Sequence, residues 1–363
     1  MMPLARKERF VSLYPDAPAF RFRQFEAALF NFTARDFSGI SNIPLSMREA
    51  LNVRVPWLSF TLEHLLVSVK KDTYKAIVKL ADDKFIETVL MQNARGAWTV
   101  CVSSQVGCAM DCAFCATGKM GFTRNLLDDE IIDQYRFWKI FLLEKQRLSQ
   151  RISNVVFMGM GEPLANYDNV KEAIRQLLAH TDLGQTRITV STAGLLPMLC
   201  KMLQDSEWPA VRLAVSLHSA VSETRKKLMP SSFDAFLEKL VGWTKEYFKK
   251  YSSRRCHLTF EYIMISGVND TRTHAEALIR FARRVGKARV NLIPYNFVSQ
   301  NSKRIGGRSV DYYRGSLPED FAYFEKLLKE ANVAVTRRRL MGDDIAAACG
   351  QLIVEKSKTP YNV

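Results

Sequence analysis

Six short β-rich runs alternate with longer helical stretches from Trp98 onward, and this alternation restricts the possible folds of the chain more than any other feature. The runs are WTVCVS at Trp98, NVVFM at Asn154, RITVST at Arg187, RLAVSLH at Arg212, LTFEYIMI at Leu258 and RVNLIP at Arg289. Strands separated by helices, here 127–150 and 169–180 among others, imply right-handed crossovers and a parallel sheet. The expected fold is α/β, a six-stranded partial (β/α)6 barrel, and such sheets place their chemistry at the carboxyl ends of the strands. With 363 residues, 47% of them hydrophobic, the chain is long enough for one such domain with appendages.

Upstream the pattern differs. Phe22, Phe25, Leu29 and Phe32 recur at helical spacing, and Ser46-Met47-Arg48-Glu49 reads as a capping box opening a second helix. Residues 1–70 are therefore expected to form a small helical accessory module, and 71–97 a β-rich linker containing a strand pair over 78–91. The barrel is expected over 98–335. A C-terminal extension, 336–363, carries Cys349. No run of 18 apolar residues occurs, and the opening MMPLARKERF lacks the apolar stretch of a signal peptide, so a cytoplasmic protein without membrane contact is expected. Seven cysteines, an odd number, fit reduced thiols, and Cys200 and Cys256 read as core residues.

Three further cysteines, Cys108, Cys112 and Cys115, follow the first β-run closely in QVGCAMDCAFCATG. A 4Fe-4S cluster normally takes four thiolates, so a compact set of three leaves one iron free to chelate a small molecule. The competing reading is structural zinc, which closes with four Cys or His ligands. No second CxxC pair exists here, and the next His, His180, lies far along the chain. The cluster is the better reading. The spacing, with the aromatic Phe114 before the third Cys, is similar to that of radical S-adenosylmethionine (SAM) enzymes.

Polar and small residues recur where the strands should end. MGMGEPLAN follows the second run, and its Gly159 and Gly161 allow a ligand to approach the backbone closely, while Glu162 offers a carboxylate or its backbone to an amino group. Ser191 ends the third run, Ser216-Leu217-His218 the fourth, and Asn296 follows the sixth. Any one of these is accounted for by a local hydrogen bond; their shared position points to a ligand site. Cys101, inside the first run, reads by itself as packing. Cys349 lies among small residues in GDDIAAACGQL, where a thiol is more accessible than in a packed core.

A formal net charge of +15, from 52 basic and 37 acidic residues, points to a polyanionic partner, with nucleic acid the first candidate. The cations recur along the chain at Arg21/Arg23, Arg225/Lys226/Lys227, Arg254/Arg255, Arg283/Arg284 and Arg337/Arg338/Arg339. A folded surface rather than a tail would present them.

Taken together, CVSSQVGCAMDCAFCATGKMGFTRNL, MGMGEPLANYDNV, VSTAGLLP, SLHS, GVND, NLIPYN and GDDIAAACGQL resemble the RlmN/Cfr family of radical SAM RNA methyltransferases, from about Phe20 to Leu352. The resemblance implies methylation of an adenine ring carbon in RNA with two SAM molecules per turnover. It assigns Cys108, Cys112 and Cys115 to the 4Fe-4S cluster, and Gly161, Glu162, Ser191, Ser216, Leu217, His218 and Asn296 to SAM. It makes Cys349 a methyl carrier, from which a carbon radical adds to the base. Cys101 would then attack the sulfur of Cys349 and release the product as a disulfide forms. Glu87 matches the family's proton acceptor, although the stretch from Glu87 to Cys101 is one residue longer than usual.

GEPL, QVGC and Arg124-Asn125-Leu126 are similar to the RlmN branch, which implies carbon 2 of an adenosine in 23S rRNA and, in some members, the tRNA adenosine 3' of the anticodon. An electron-donating reductase of flavodoxin type and a monomeric enzyme are expected with it. Phe297, Met341 and LMPSS depart from the family's usual residues, at positions outside the cluster and thiol motifs. Two alternatives stay open at this point: a Cfr-like carbon-8 enzyme, and a non-catalytic, metal-stabilised RNA-binding protein.

Overall fold

The structure, a computed structural model, describes residues 4–145, 148–251, 258–296, 304–305, 308–309 and 313–352. Its centre is a ten-stranded sheet. The first strands are antiparallel: β1 (Phe60–Val67), β2 (Thr73–Leu80), β3 (Phe85–Gln92) and β4 (Trp98–Cys101). A separate small pair, β5 (Gln105–Gly107) and β6 (Phe122–Asn125), brackets the three-cysteine loop. From β4 the sheet continues in parallel through β7 (Ile152–Phe157), β8 (Ile188–Thr192), β9 (Arg212–Ser216), β10 (Leu258–Met264) and β11 (Ala288–Pro294). Beyond a two-residue pair, β12 (Arg304–Ile305) and β13 (Arg308–Ser309), the parallel array ends at β14 (Ala334–Arg337).

All six expected β-runs are strands of the parallel sheet. Their sequences are nearly continuous apolar runs because both faces are covered, as β10 shows with six of its seven residues buried. Helices return the chain between them. Helix Asp128–Glu144 opens with three acids at its positive end, and Glu130 accepts the Leu127 amide at 2.9 Å. Helix Arg272–Val285 stops at Gly286, where φ is +84° and a Cβ would be strained.

Four details differ from the sequence reading. β1 falls inside the segment read as helical, and β14 adds a seventh parallel strand. Both are largely exposed, so neither has a full apolar pattern. The helix expected at Ser46 starts at Leu45, behind Pro44; proline's fixed φ suits the residue just ahead of a helix, leaving Ser46 inside it without a capping role. Cys200 is exposed on helix Leu196–Gln204, whose buried face is Leu199 and Met202. Cys256, Arg254, Arg255 and Phe297 lie outside the described residues.

The N-terminal helices, Arg6–Leu13, Ala19–Leu29 and Leu45–Arg54, pack through Phe10, Phe25, Phe37 and Leu51 and are tied to the barrel by a buried ion network. Asp133, fully buried in helix Asp128–Glu144, accepts both terminal nitrogens of Arg6 at 2.8 Å, Nη1 of Arg136 at 2.5 Å and the Ser59 amide at 2.6 Å. Burial alone would raise its pKa, but the two guanidiniums hold it below the usual carboxylate value. Burial in turn pulls Arg136 down to about 10.

Candidate active site

The residues singled out by the sequence converge at the carboxyl ends of the parallel strands. One pocket is lined by Cys108, Cys112 and Cys115, by Gly159, Gly161 and Glu162 after β7, by Ser191 of β8 and Ser216 of β9, and by His218 and Cys349. A wider cleft of about 810 Å³ opens beside it, lined by Cys101 at the end of β4, Asn296 after β11, and again Cys349. Cys349 thus borders both spaces, and so do Met158 and Arg338.

The turn after β7 is shaped by its glycines. Gly161 has φ +99°, and a Cβ there would lie 2.5 Å from Cβ of Gln105; at Gly159 it would lie 2.7 Å from the Val102 carbonyl. The Glu162 carboxylate accepts the Leu164 amide at 3.0 Å and the Ala193 amide at 2.6 Å, while its own amide donates to Gln105 Oε1 at 2.8 Å. This side chain therefore braces the turn against the end of β8. Burial raises its pKa.

His218 takes the left-handed conformation, φ +54°. Its Nδ1 accepts the Ile263 amide at 3.1 Å, which leaves the ring hydrogen on Nε2, and burial followed by the nearby Arg225 pulls its pKa to about 3. The imidazole is neutral and edge-on to Phe114, with ring centroids 4.6 Å apart. Ser191 and Ser216 meet the pocket. Leu217 points its side chain into the main core. Asn296 belongs to the cleft, donating from Nδ2 to the Cys349 carbonyl at 3.3 Å.

Two seams seat the Cys349 loop. On one side the three-cysteine loop donates to it, from the Ala116 amide to the Gly350 carbonyl at 2.8 Å and from Thr117 Oγ1 to the Leu352 carbonyl at 2.6 Å. On the other, Lys75 Nζ of β2 donates to the Ala346 carbonyl at 3.1 Å and the Val69 amide to Asp344 Oδ2 at 2.7 Å. Lys75 is also ion-paired with Glu87 at 3.4 Å. Glu87 lies two residues from Val89, which is registered with Cys101, so it faces the same side of the sheet as Cys101, but it is fully buried beneath the cleft rather than lining it.

Burial, and then Cys349, push the Cys101 thiol up to about 12, while Arg338 acts in the opposite direction. Cys349 is the first of the groups holding the Arg338 guanidinium charged. Sequence reading placed Arg338 only in a basic triplet. The structure separates the three: Arg337 stacks on Phe321 at 4.2 Å, Arg338 turns inward to Met158 Sδ at 3.3 Å, and Arg339 borders the cleft. Strand alternation through Ala334, Thr336 and Arg338 was the available signal.

The donor set fits an iron-sulfur cluster. Three thiols line one pocket, yet no three His, Cys, Asp or Glu side chains among the described residues converge as a single metal ion requires. Nε and Nη1 of Arg225, a side chain 1% exposed that stacks on Phe236 at 3.7 Å and whose charge Cys112 favours, have no hydrogen-bond partner in the protein.

A parallel partial barrel with such a pocket at its carboxyl end defines a radical SAM enzyme, and the Radical SAM superfamily model matches residues 102–282. Radical SAM enzymes use a 4Fe-4S cluster and SAM. The chain is 40% identical to the probable dual-specificity RNA methyltransferase RlmN of Synechocystis sp., over 92% of this chain and 89% of that one. It is 36% identical to the ribosomal RNA large subunit methyltransferase N of Nitrosopumilus maritimus, over 92% of each. A radical SAM methyltransferase from Sphaerobacter thermophilus superposes with a TM-score of 0.84 at 34% identity, covering 97% of this chain and 98% of that one. The chain belongs to the RlmN family of radical SAM RNA methyltransferases. No described helix is long and apolar enough to cross a membrane.

Proposed function

We propose that this enzyme methylates carbon 2 of an adenosine in 23S rRNA, and in addition the tRNA adenosine 3' of the anticodon, acting as a cytoplasmic monomer supplied with electrons by a flavodoxin-type reductase. The observation that carries the reading is the position of Cys349, which borders both the pocket of the three cluster thiols and the cleft that holds Cys101. Relatives named for dual-specificity RNA and for large-subunit rRNA methylation support the choice of RNA. When bound, the cluster and SAM supply the methyl group and the one-electron chemistry that makes its carbon reactive.

The remaining roles fall to this chain. Cys108, Cys112 and Cys115 hold the cluster, and the turn at Gly161 and Glu162, with Ser191, Ser216 and His218, receives SAM, Leu217 anchoring that strand end in the core and Asn296 reaching it from the neighbouring cleft. Cys349 carries the methyl carbon as a thioether. Glu87 serves as the proton acceptor, its charge held by Lys75. The Cys101 thiolate attacks the sulfur of Cys349; the new S–S bond forms as the S–C bond to the product breaks, and an external dithiol returns both thiols.

Nuclease digestion and mass spectrometry of RNA treated with the anaerobically reconstituted enzyme test this reading. 2-Methyladenosine is expected, and 8-methyladenosine would overturn the carbon-2 assignment. Cys349→Ala is expected to abolish product, and Cys101→Ala to trap a protein–RNA crosslink. Turnover by either variant would falsify the two-thiol scheme.

A further inference from the structure

The barrel has a second mouth, at the amino ends of its strands. Arg212 is the first residue of β9 and Arg289 the second of β11, and Arg187 immediately precedes β8. Successive strand side chains alternate between faces. Arg212 therefore shares a face with Ser216, and Arg289 with Ile293, both of which line the reactive pocket at the other end. Two guanidiniums thus stand on the barrel-interior face, below the site, and Arg187 flanks them two residues before Thr189, the partner of Arg212 in the ladder. Arginines 187, 212 and 289 are all exposed.

This cluster continues outward. Arg289 also lines a cleft of about 620 Å³ with Arg283 and Lys287, formed where the turn at Gly286 meets the turn at Asn332. Among the described residues none of these five cations is in an ion pair, whereas neighbouring Arg284 is paired with Glu238 and Arg272 with Glu276. The like charges act on each other: burial and then Arg187 and Arg289 lower the pKa of Arg212. Unpaired cations gathered in this way are unfavourable unless anions approach them.

We infer that this mouth is a second phosphate-backbone contact for the RNA substrate, on the end of the barrel opposite the reactive thiols. The inference rests on the RNA methyltransferase reading and adds to it a site that base chemistry does not require. β10 spans seven residues, so the two ends lie roughly 20 Å apart at ~3.3 Å per residue. A short stem-loop whose adenine enters the cleft ends before reaching the second mouth, and a long folded RNA reaches around to it. An acidic electron-carrying protein docked here would face the whole barrel between itself and the cluster thiols, which favours RNA as the occupant.

The test is the triple variant Arg187→Gln, Arg212→Gln and Arg289→Gln, all at exposed positions, in reconstituted full-length enzyme. Affinity for a large-subunit rRNA fragment of several hundred nucleotides and for a minimal stem-loop is measured by fluorescence anisotropy across a salt series, alongside methylation of each. On the long RNA the slope of log K against log salt is expected to become shallower by about 2–3, with binding weakened about 10- to 100-fold near physiological salt. On the stem-loop, kcat/KM should be unchanged. An unaltered slope on long RNA overturns the inference, as does an equal loss on the stem-loop. A defect confined to assays driven by a protein reductant, and absent with dithionite, would assign the mouth to the electron donor instead. If wild-type enzyme methylates neither RNA, the RNA reading itself has failed.

Discussion

Gly161→Ala should weaken SAM binding and destabilise the fold together. The added methyl must occupy φ +99°, a conformation that costs a non-glycine residue about 1–3 kcal/mol. It would also sit 2.5 Å from Cβ, 2.7 Å from Cγ and 2.8 Å from the amide nitrogen of Gln105, so the turn must shift by about 1 Å to restore ordinary contact. That shift stretches the bond from the Glu162 amide to Gln105 and those from Leu164 and Ala193 to the Glu162 carboxylate, worth about 0.5–1.5 kcal/mol each. The combined destabilisation is about 2.5–7.5 kcal/mol, or a melting-temperature loss of roughly 3–10 °C in a chain of 363 residues at ~2.1 cal/mol/K per residue. The assay pairs differential scanning fluorimetry with anaerobic SAM binding and iron content. Gly184→Ala is the control: its φ is −82° and a Cβ there meets nothing within 4 Å. If Gly161→Ala binds SAM as wild type does and melts within about 1 °C of the control, the argument from backbone geometry is wrong.

Asp133→Asn leaves Arg6 and Arg136 charged in a dry interior, and the loss should be about 3–5 kcal/mol in equilibrium unfolding, accompanied by faster proteolysis of the N-terminal helices. Because the folded pKa of Asp133 is depressed, its contribution is present above the unfolded value of about 3.9 and vanishes as pH falls through the folded one; the variant should lack that acid dependence. Thr117→Val removes the donor to the Leu352 carbonyl, and hydrogen exchange at 347–352 should accelerate about 5- to 150-fold with cluster content intact, as expected for a loss of about 1–3 kcal/mol. Alkylation of Cys101 by iodoacetamide should rise about tenfold per pH unit well beyond pH 9, since its thiol is held near 12, whereas a free cysteine levels off near about 8.5; a matching profile would refute the burial effect.

Legibility in the sequence followed burial. The interior parallel strands could be read because both faces are covered and most positions are apolar, as in LTFEYIM. β1 and β14 were missed because exposed edges leave only one buried residue, or none, to mark a strand. Cys108, Cys112 and Cys115, Gly161 and His218 stood out because local spacing or a strand end carries them. Arg338 did not, since its place beside Cys101 and Cys349 depends on residues that lie far from it in the chain. Cys101 reads as packing until Cys349 is placed across the cleft from it. The burial and ion pairing of Glu87 are likewise tertiary facts, fixed by Lys75 on the neighbouring strand.

The two seams around Cys349 have a consequence for how this chain can vary. Between Ala346 and Leu352 the backbone is pinned at one end by Lys75 and at the other by Thr117, so the intervening length is measured against two fixed points. One inserted or deleted residue changes that span by about 3.3 Å when extended, more than a hydrogen bond tolerates. Substitutions within the segment away from Cys349 and the left-handed Gly350 are therefore available to drift, but changes of length are not. The segment works as a ruler, fixing how far Cys349 stands from the three-cysteine pocket on one side and from Cys101 on the other.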